Sequence, residues 1–156
     1  MNHKVFVVKT NFMDDVSPVD EWEISSEFGD ATVKEYSPDM HQQQFESMCS
    51  VLKQMLGDVK RDEHSITVTM KSVEEYFGKM QEFLYNVSNI KERTVDNFMN
   101  DFFNIRRVIN AQDVCWIYTG YFKSTTEFLL ELHSEMILQN VEEVTITMVQ
   151  AFERCI

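Results

Sequence analysis

Apolar residues in this chain recur with two periods, and the alternation between them lays out the elements. Lys4–Lys9 is a β-branched and aromatic run around Val5–Val8 and predicts a strand. Ser65–Met70 alternates, with Ile66, Val68 and Met70 facing one way and Ser65, Thr67 and Thr69 the other, as a half-buried strand requires. Val114–Thr119, ending near Gly120, and Val144–Phe152 predict two more strands. Glu21–Ser25 and Thr32–Tyr36 read as a hairpin turned at Phe28-Gly29-Asp30.

Between these segments the spacing becomes helical. Ser37-Pro38-Asp39 has a capping hydroxyl, a preset φ and a carboxylate for the positive end of the dipole. Phe45, Met48, Leu52 and Met55 follow at helical spacing, and Gly57 is a stop. Ser72 and Glu75 form a capping box before Val73, Phe77, Met80, Leu84 and Val87. Thr94 opens a third helix carrying Phe98, Phe102, Ile105 and Ile109. A second capping box, Ser124 with Glu127, precedes Phe128, Leu132 and Met136. The order β-β-β-α-β-α-α-β-α-β breaks strict βαβ alternation at the start and between the central helices. It predicts an α+β fold: a mixed or antiparallel sheet of about five to six strands with four helices, mainly on one face. Residues 1–156 are of a length for a single domain that needs neither disulfide nor metal to hold a core.

Charge narrows the function classes. The net charge is −12, from 14 Lys and Arg against 26 Asp and Glu. Direct nucleic-acid binding is not expected, because it runs on clustered Lys and Arg, and an anionic membrane surface would repel the chain. No apolar run approaches the roughly 20 residues of a membrane helix, and Val5–Val8 is too short for a signal sequence. Cys49, Cys115 and Cys155 are scattered and odd in number, which suits a reducing compartment. A cytoplasmic location, of a cell or of an infected host, is the expectation.

Familiar catalytic chemistry is missing from the sequence. There is no GxGxxG, no phosphate loop, no GxSxG elbow, no HExxH and no Cys/His set at zinc spacing. His133 lies between Glu131 and Glu135, but two-residue offsets on a helix do not face each other. No catalytic residue, metal site or cofactor is expected.

The acid is concentrated in two zones. Between Asn11 and Asp39 stand Asp14, Asp15, Asp20, Glu21, Glu23, Glu27, Asp30, Glu35 and Asp39, against Lys34 alone. Between Ser124 and Phe152 stand Glu127, Glu131, Glu135, Glu142 and Glu143, with no Lys or Arg. Glu127, Glu131 and Glu135 repeat every fourth residue and would form a stripe with steps of about 6 Å, a repulsive arrangement on an isolated helix. Trp22 sits between Glu21 and Glu23. Inside a strand it would face the core while its neighbours face out. Exposed, it would be an anchor for a basic surface, since Trp and Arg dominate interface hot spots and Arg stacks on Trp.

These features favour a non-catalytic acidic binding protein, an inhibitor of the immunity or anti-defence type. It would act as a nucleic-acid mimic blocking the basic surface of a nuclease or another nucleic-acid-binding protein. The expected partner-binding residues are Asp14, Asp15, Asp20, Glu21, Trp22, Glu23, Glu27, Asp30, Glu127, Glu131 and Glu135, joined in one continuous patch. Two alternatives stand beside it. One is a scaffold or chaperone-like homo-oligomeric subunit, suggested by Met99, Phe102 and Phe103 covering more than one helix side. The other is an enzyme or small-ligand binder with a dispersed site, which requires a pocket with convergent polar groups.

Overall fold

The computed structural model describes residues 3–13, 17–29, 32–88 and 115–155, without the side chains of 83, 84 and 86–88. Twelve elements follow in order: β1 (His3–Thr10), α1 (Glu21–Glu27), β2 (Thr32–Glu35), a 3-10 turn (Pro38–Met40), α2 (His41–Leu56), β3 (Lys60–Arg61), β4 (Ser65–Thr69), α3 (Met70–Ser88), β5 (Cys115–Tyr118), β6 (Phe122–Ser124), α4 (Thr125–Gln139) and β7 (Glu143–Cys155). The fold is α+β, with a mixed sheet of seven strands in the order β3-β4-β7-β1-β5-β6, and β2 also paired to β7. The expected five to six strands rise to seven because β3 and β6 are only two and three residues long, too short to show a period.

β7 is the axis of the sheet. It runs antiparallel to β1 along one edge, from Arg154 opposite His3 to Ile146 opposite Thr10. Its other edge is shared by β4, opposite Glu143 to Thr147, and β2, opposite Phe152 to Cys155. The register slips by one residue between Val7, opposite Gln150, and Val8, opposite Met148. Such a bulge reverses the side-chain alternation of the longer strand. Val144, Ile146 and Met148 face the same core as Ala151 beyond the bulge, while Phe152 turns to the opposite face.

Two cores result, one on each face. Phe6, Val8, Ile66, Val68, Ile117 and Ile146 pack under α2, α3 and α4, which contribute Phe45, Met48, Leu52, Val73, Phe128, Leu132 and Met136. On the other face Val5, Val7 and Phe152 pack with Val19, Ile24 and Val33, and with the partly buried Phe28, Trp116, Tyr118 and Phe122. Among the described residues, three helices on one face and α1 on the other match the expected layering. Met48 and Met136 are plain core residues.

Local capping departs from expectation in three places. Glu21–Ser25 is not a strand but the body of α1. The Asp20 carboxylate accepts the Glu23 N–H at 2.8 Å, and this N-cap outweighs the apparent alternation of Trp22 and Ile24. The hairpin expected through Phe28-Gly29-Asp30 is therefore replaced by a helix and a separate strand. α3 begins at Met70, two residues before Ser72, because the Thr69 hydroxyl accepts the Ser72 N–H. Ser37 makes no side-chain cap to the turn that leads into α2. Gly57 ends α2 at φ +77°, and Ser124 with Glu127 forms the capping box of α4 in full. The third helix expected from Thr94, with Phe98, Met99, Phe102, Phe103, Ile105 and Ile109, lies outside the described residues, as does Val114.

The division into two layers sets a contrast between two aromatic side chains. Phe6→Ala, in the larger core, is expected to lower unfolding free energy by about 3–5 kcal/mol. Trp22→Ala, on the solvent side of α1, is expected to change it by less than about 0.5 kcal/mol. Urea unfolding of both variants checks the assignment, and a large loss at Trp22 would contradict it.

Candidate binding faces and the cleft at the sheet edge

α1 is fixed to the sheet by polar contacts rather than by area alone. The Gln150 side-chain amide, at the β7 bulge, donates to the Val19 carbonyl at 3.0 Å and to the Glu35 carboxylate at 2.8 Å. Its oxygen accepts the Val19 N–H at 2.9 Å. The Glu21 carboxylate accepts the Glu35 N–H at 2.9 Å, which ties the first turn of α1 to β2. Ile24 is the one fully buried residue of the helix. Phe28, just after it, packs edge-on against Trp116 and Phe122, and Arg154 lies over its ring at 4.0 Å.

That seating leaves Trp22 76% exposed, so it is not a core residue. Glu21, Glu23 and Glu27 are exposed around it on the same short helix. Glu23 and Glu27 lie close enough to Tyr118 to raise its phenol, together with burial, which is the larger cause. Asp20 serves as the cap. Asp14, Asp15 and Asp30 lie outside the described residues.

α4 lies across the opposite face of the sheet from α1, so the described members of the expected patch do not form one continuous surface. Asp20, Glu21, Glu23 and Glu27 stand on one side. Glu127, Glu131 and Glu135 stand on the other. The reason is the βαβ-like return of the chain: α4 packs on Phe6, Val8 and Ile117, whereas α1 packs on the alternate residues Val5 and Val7. The stripe on α4 is also not free of base. Glu127 is used in the capping box, and Glu131 forms an ion pair with Lys123 and accepts the Tyr121 hydroxyl. Glu135 remains exposed.

Lys123 was not singled out by sequence reasoning. It pairs with Ile117 across the β5–β6 hairpin, so its side chain points to the α4 face and is only 2% exposed. Its ammonium also lies 3.9 Å from the centre of the Tyr121 ring. The signal that would have found it is the alternation Phe122-Lys123-Ser124 right after Gly120. It places Lys123 and Phe122 on opposite faces of an edge strand. Gly120 adopts φ +102° in the three-residue turn, a conformation that favours glycine.

Beside Lys123 a cleft of about 510 Å³ opens between the end of β1, the β5–β6 turn and α4. It sits past the carboxyl ends of the two parallel strands, β1 and β5, where open sheets commonly bind ligands. Thr10, Thr119, Tyr121, Lys123, Ser134 and Glu135 supply its polar groups, beside Glu131. No histidine or cysteine lines it. His133 points elsewhere, with Nε2 3.1 Å from the Glu74 carboxylate. Burial pushes the Cys115 thiol up to about 12, which removes its nucleophilic form near neutral pH. Among the described residues no cluster of three His, Cys, Asp or Glu could hold a metal ion, and no helix is long and apolar enough to cross a membrane. Compared with protein-family models, curated proteins and solved structures, the chain matches none.

The Lys123–Glu131 pair makes a stability prediction. Glu131→Gln leaves a buried ammonium without its counter-charge and is expected to cost about 1–3 kcal/mol, reduced from a fully buried pair because Glu131 is partly solvated. Lys123→Met in the Glu131→Gln background is expected to restore most of that loss. Unfolding curves at pH 7 for the single and double variants test this, and an undiminished loss in the double variant would rule out the ion pair as the cause.

Proposed function

We propose that this protein is a non-catalytic acidic binder that docks α1 onto a basic surface of a partner protein, as an inhibitor of a nucleic-acid-handling protein would. One observation carries the reading. Trp22 is left 76% exposed on a helix whose other exposed residues include Glu21, Glu23 and Glu27. An exposed Trp is a frequent interface anchor, and carboxylates around it select a covering surface rich in Arg and Lys. The Trp ring would stack on a guanidinium while the carboxylates pair with neighbouring bases. Concentrated negative charge would also speed encounter with a basic cleft.

The reading rests on α1 alone, since α4 faces the other way. Arg154, on the adjacent β7, tempers the negative field there and is engaged on Phe28. The hydrogen-bonded frame under α1, formed by Gln150, Val19 and Glu35, would let Trp22 be presented without a folding step on binding.

Triple substitution Trp22→Ala, Glu23→Lys and Glu27→Lys tests the proposal, since none of the three is a buried partner in the fold. Affinity capture from nuclease-treated lysate at low and high salt, read by mass spectrometry, is expected to return a basic protein with the native chain at low salt. Its recovery should fall at least tenfold in 0.5 M salt and with the variant. Equal capture by native chain and variant, or capture indifferent to salt, sinks the α1 proposal.

A further inference from the structure

The solvent face of α4 is unlike that of an ordinary surface helix. Leu130 is 49%, Ile137 57% and Leu138 76% exposed. At 100° per residue these three fall on one side with Ser134, opposite the buried Phe128, Leu129, Leu132 and Met136. A helix apolar on both sides is expected inside a protein or beneath a partner. The apolar row runs into the cleft beside Lys123, since Leu130 and Ser134 belong to both.

The charges in the cleft choose the occupant. Lys123 and Glu131 cancel as a pair, which leaves Glu135, among the described residues, as an unmatched carboxylate on the rim, with no other described Lys or Arg lining the cleft. One N–H of the Lys123 ammonium goes to Glu131. Its other two find no oxygen acceptor among the described residues, although the ammonium also lies over the Tyr121 ring. A fitting occupant therefore brings a cation for Glu135, a neutral oxygen acceptor for Lys123 and apolar groups for Phe12, Leu130 and Ile137. A free anion is disfavoured by the carboxylates of Glu131 and Glu135. A polypeptide carrying Lys or Arg beside leucine-like residues satisfies all three demands, its main-chain carbonyl serving as the acceptor.

We propose that the cleft between β1, the β5–β6 turn and α4 seats a basic side chain from a peptide segment of a partner protein, whose apolar neighbours lie along Leu130, Ile137 and Leu138. This names a second contact on the sheet face opposite α1, and it rests on the reading of the protein as a binder of a basic partner. Two contacts on opposite faces of the β5–β6 hairpin would let the partner grip the sheet edge from both sides, because Phe28 of the α1 segment and α4 flank that same hairpin.

The test uses the full chain, labelled with nitrogen-15, and a capped tetrapeptide, acetyl-Leu-Arg-Leu-Leu-amide, with the version carrying Gln for Arg as control. Saturable shifts are expected at the amides of Thr10, Phe12, Tyr121, Leu130 and Glu135 with the Arg peptide and at least tenfold weaker with the Gln peptide. Glu135→Gln, an exposed change outside the core, is expected to weaken the Arg peptide at least tenfold. Absence of shifts at these amides, equal binding of the Gln peptide, or native-like binding by Glu135→Gln overturns the proposal. Shifts confined to the Trp22 indole and its neighbours would overturn it while supporting α1. Failure of the α1 substitutions to reduce capture would leave the peptide shifts at the cleft untouched.

Discussion

A strand has two edges and two faces, and β7 uses all four. Its thirteen residues pair with β1 along one edge and with β4 and β2 in succession along the other. The one-residue bulge near Val149 keeps both halves of this long strand in use. Before it, Val144, Ile146 and Met148 feed the three-helix core. After it, Ala151 remains in that core and Phe152 serves the smaller core beneath α1. Without the bulge every side chain beyond it would change face.

The same bulge places Gln150, and Gln150 places α1. Its amide group satisfies the N–H and carbonyl of Val19 and reaches Glu35, so a polar side chain at a strand irregularity holds the segment that carries Trp22. α1 is only seven residues long and buries a single side chain fully, too little to fold by its own propensity. Its existence depends on the Asp20 cap and on these tertiary contacts. Thus Asp20, Glu21 and Glu35 are acids with structural duties, and the exposed remainder around Trp22 is the proposed docking face.

On the other side of the sheet, burial converts the acidic stripe of α4 into something more differentiated. Glu127 closes a helix end, Glu131 compensates an ammonium that the β5–β6 hairpin points inward, and Glu135 alone looks out from the rim of the cleft. Three residues identical in sequence role therefore differ in chemistry. The like-charge repulsion expected along the stripe is relieved by Lys123, which lies one residue before the zone that holds no Lys or Arg.

Much of the scaffold follows from local pattern alone. Alternation marks β4, runs of β-branched, aromatic or apolar residues mark β1, β5 and β7, helical spacing marks α2, α3 and α4, and the Ser124–Glu127 capping box is met in full, because each of these depends on residues within a turn or two of one another. Those same rules failed at Glu21–Ser25, where five residues fit either period and a cap contact decided between them. The concentration of acid near both ends was equally plain in the sequence. Which acids share a surface was not, since residues adjacent in β1 face opposite cores, and the helices resting on them are separated by the thickness of the sheet. Only strand pairing between positions more than a hundred residues apart could set that, and with it the burial of Lys123, the cleft beside it and the exposure of Trp22.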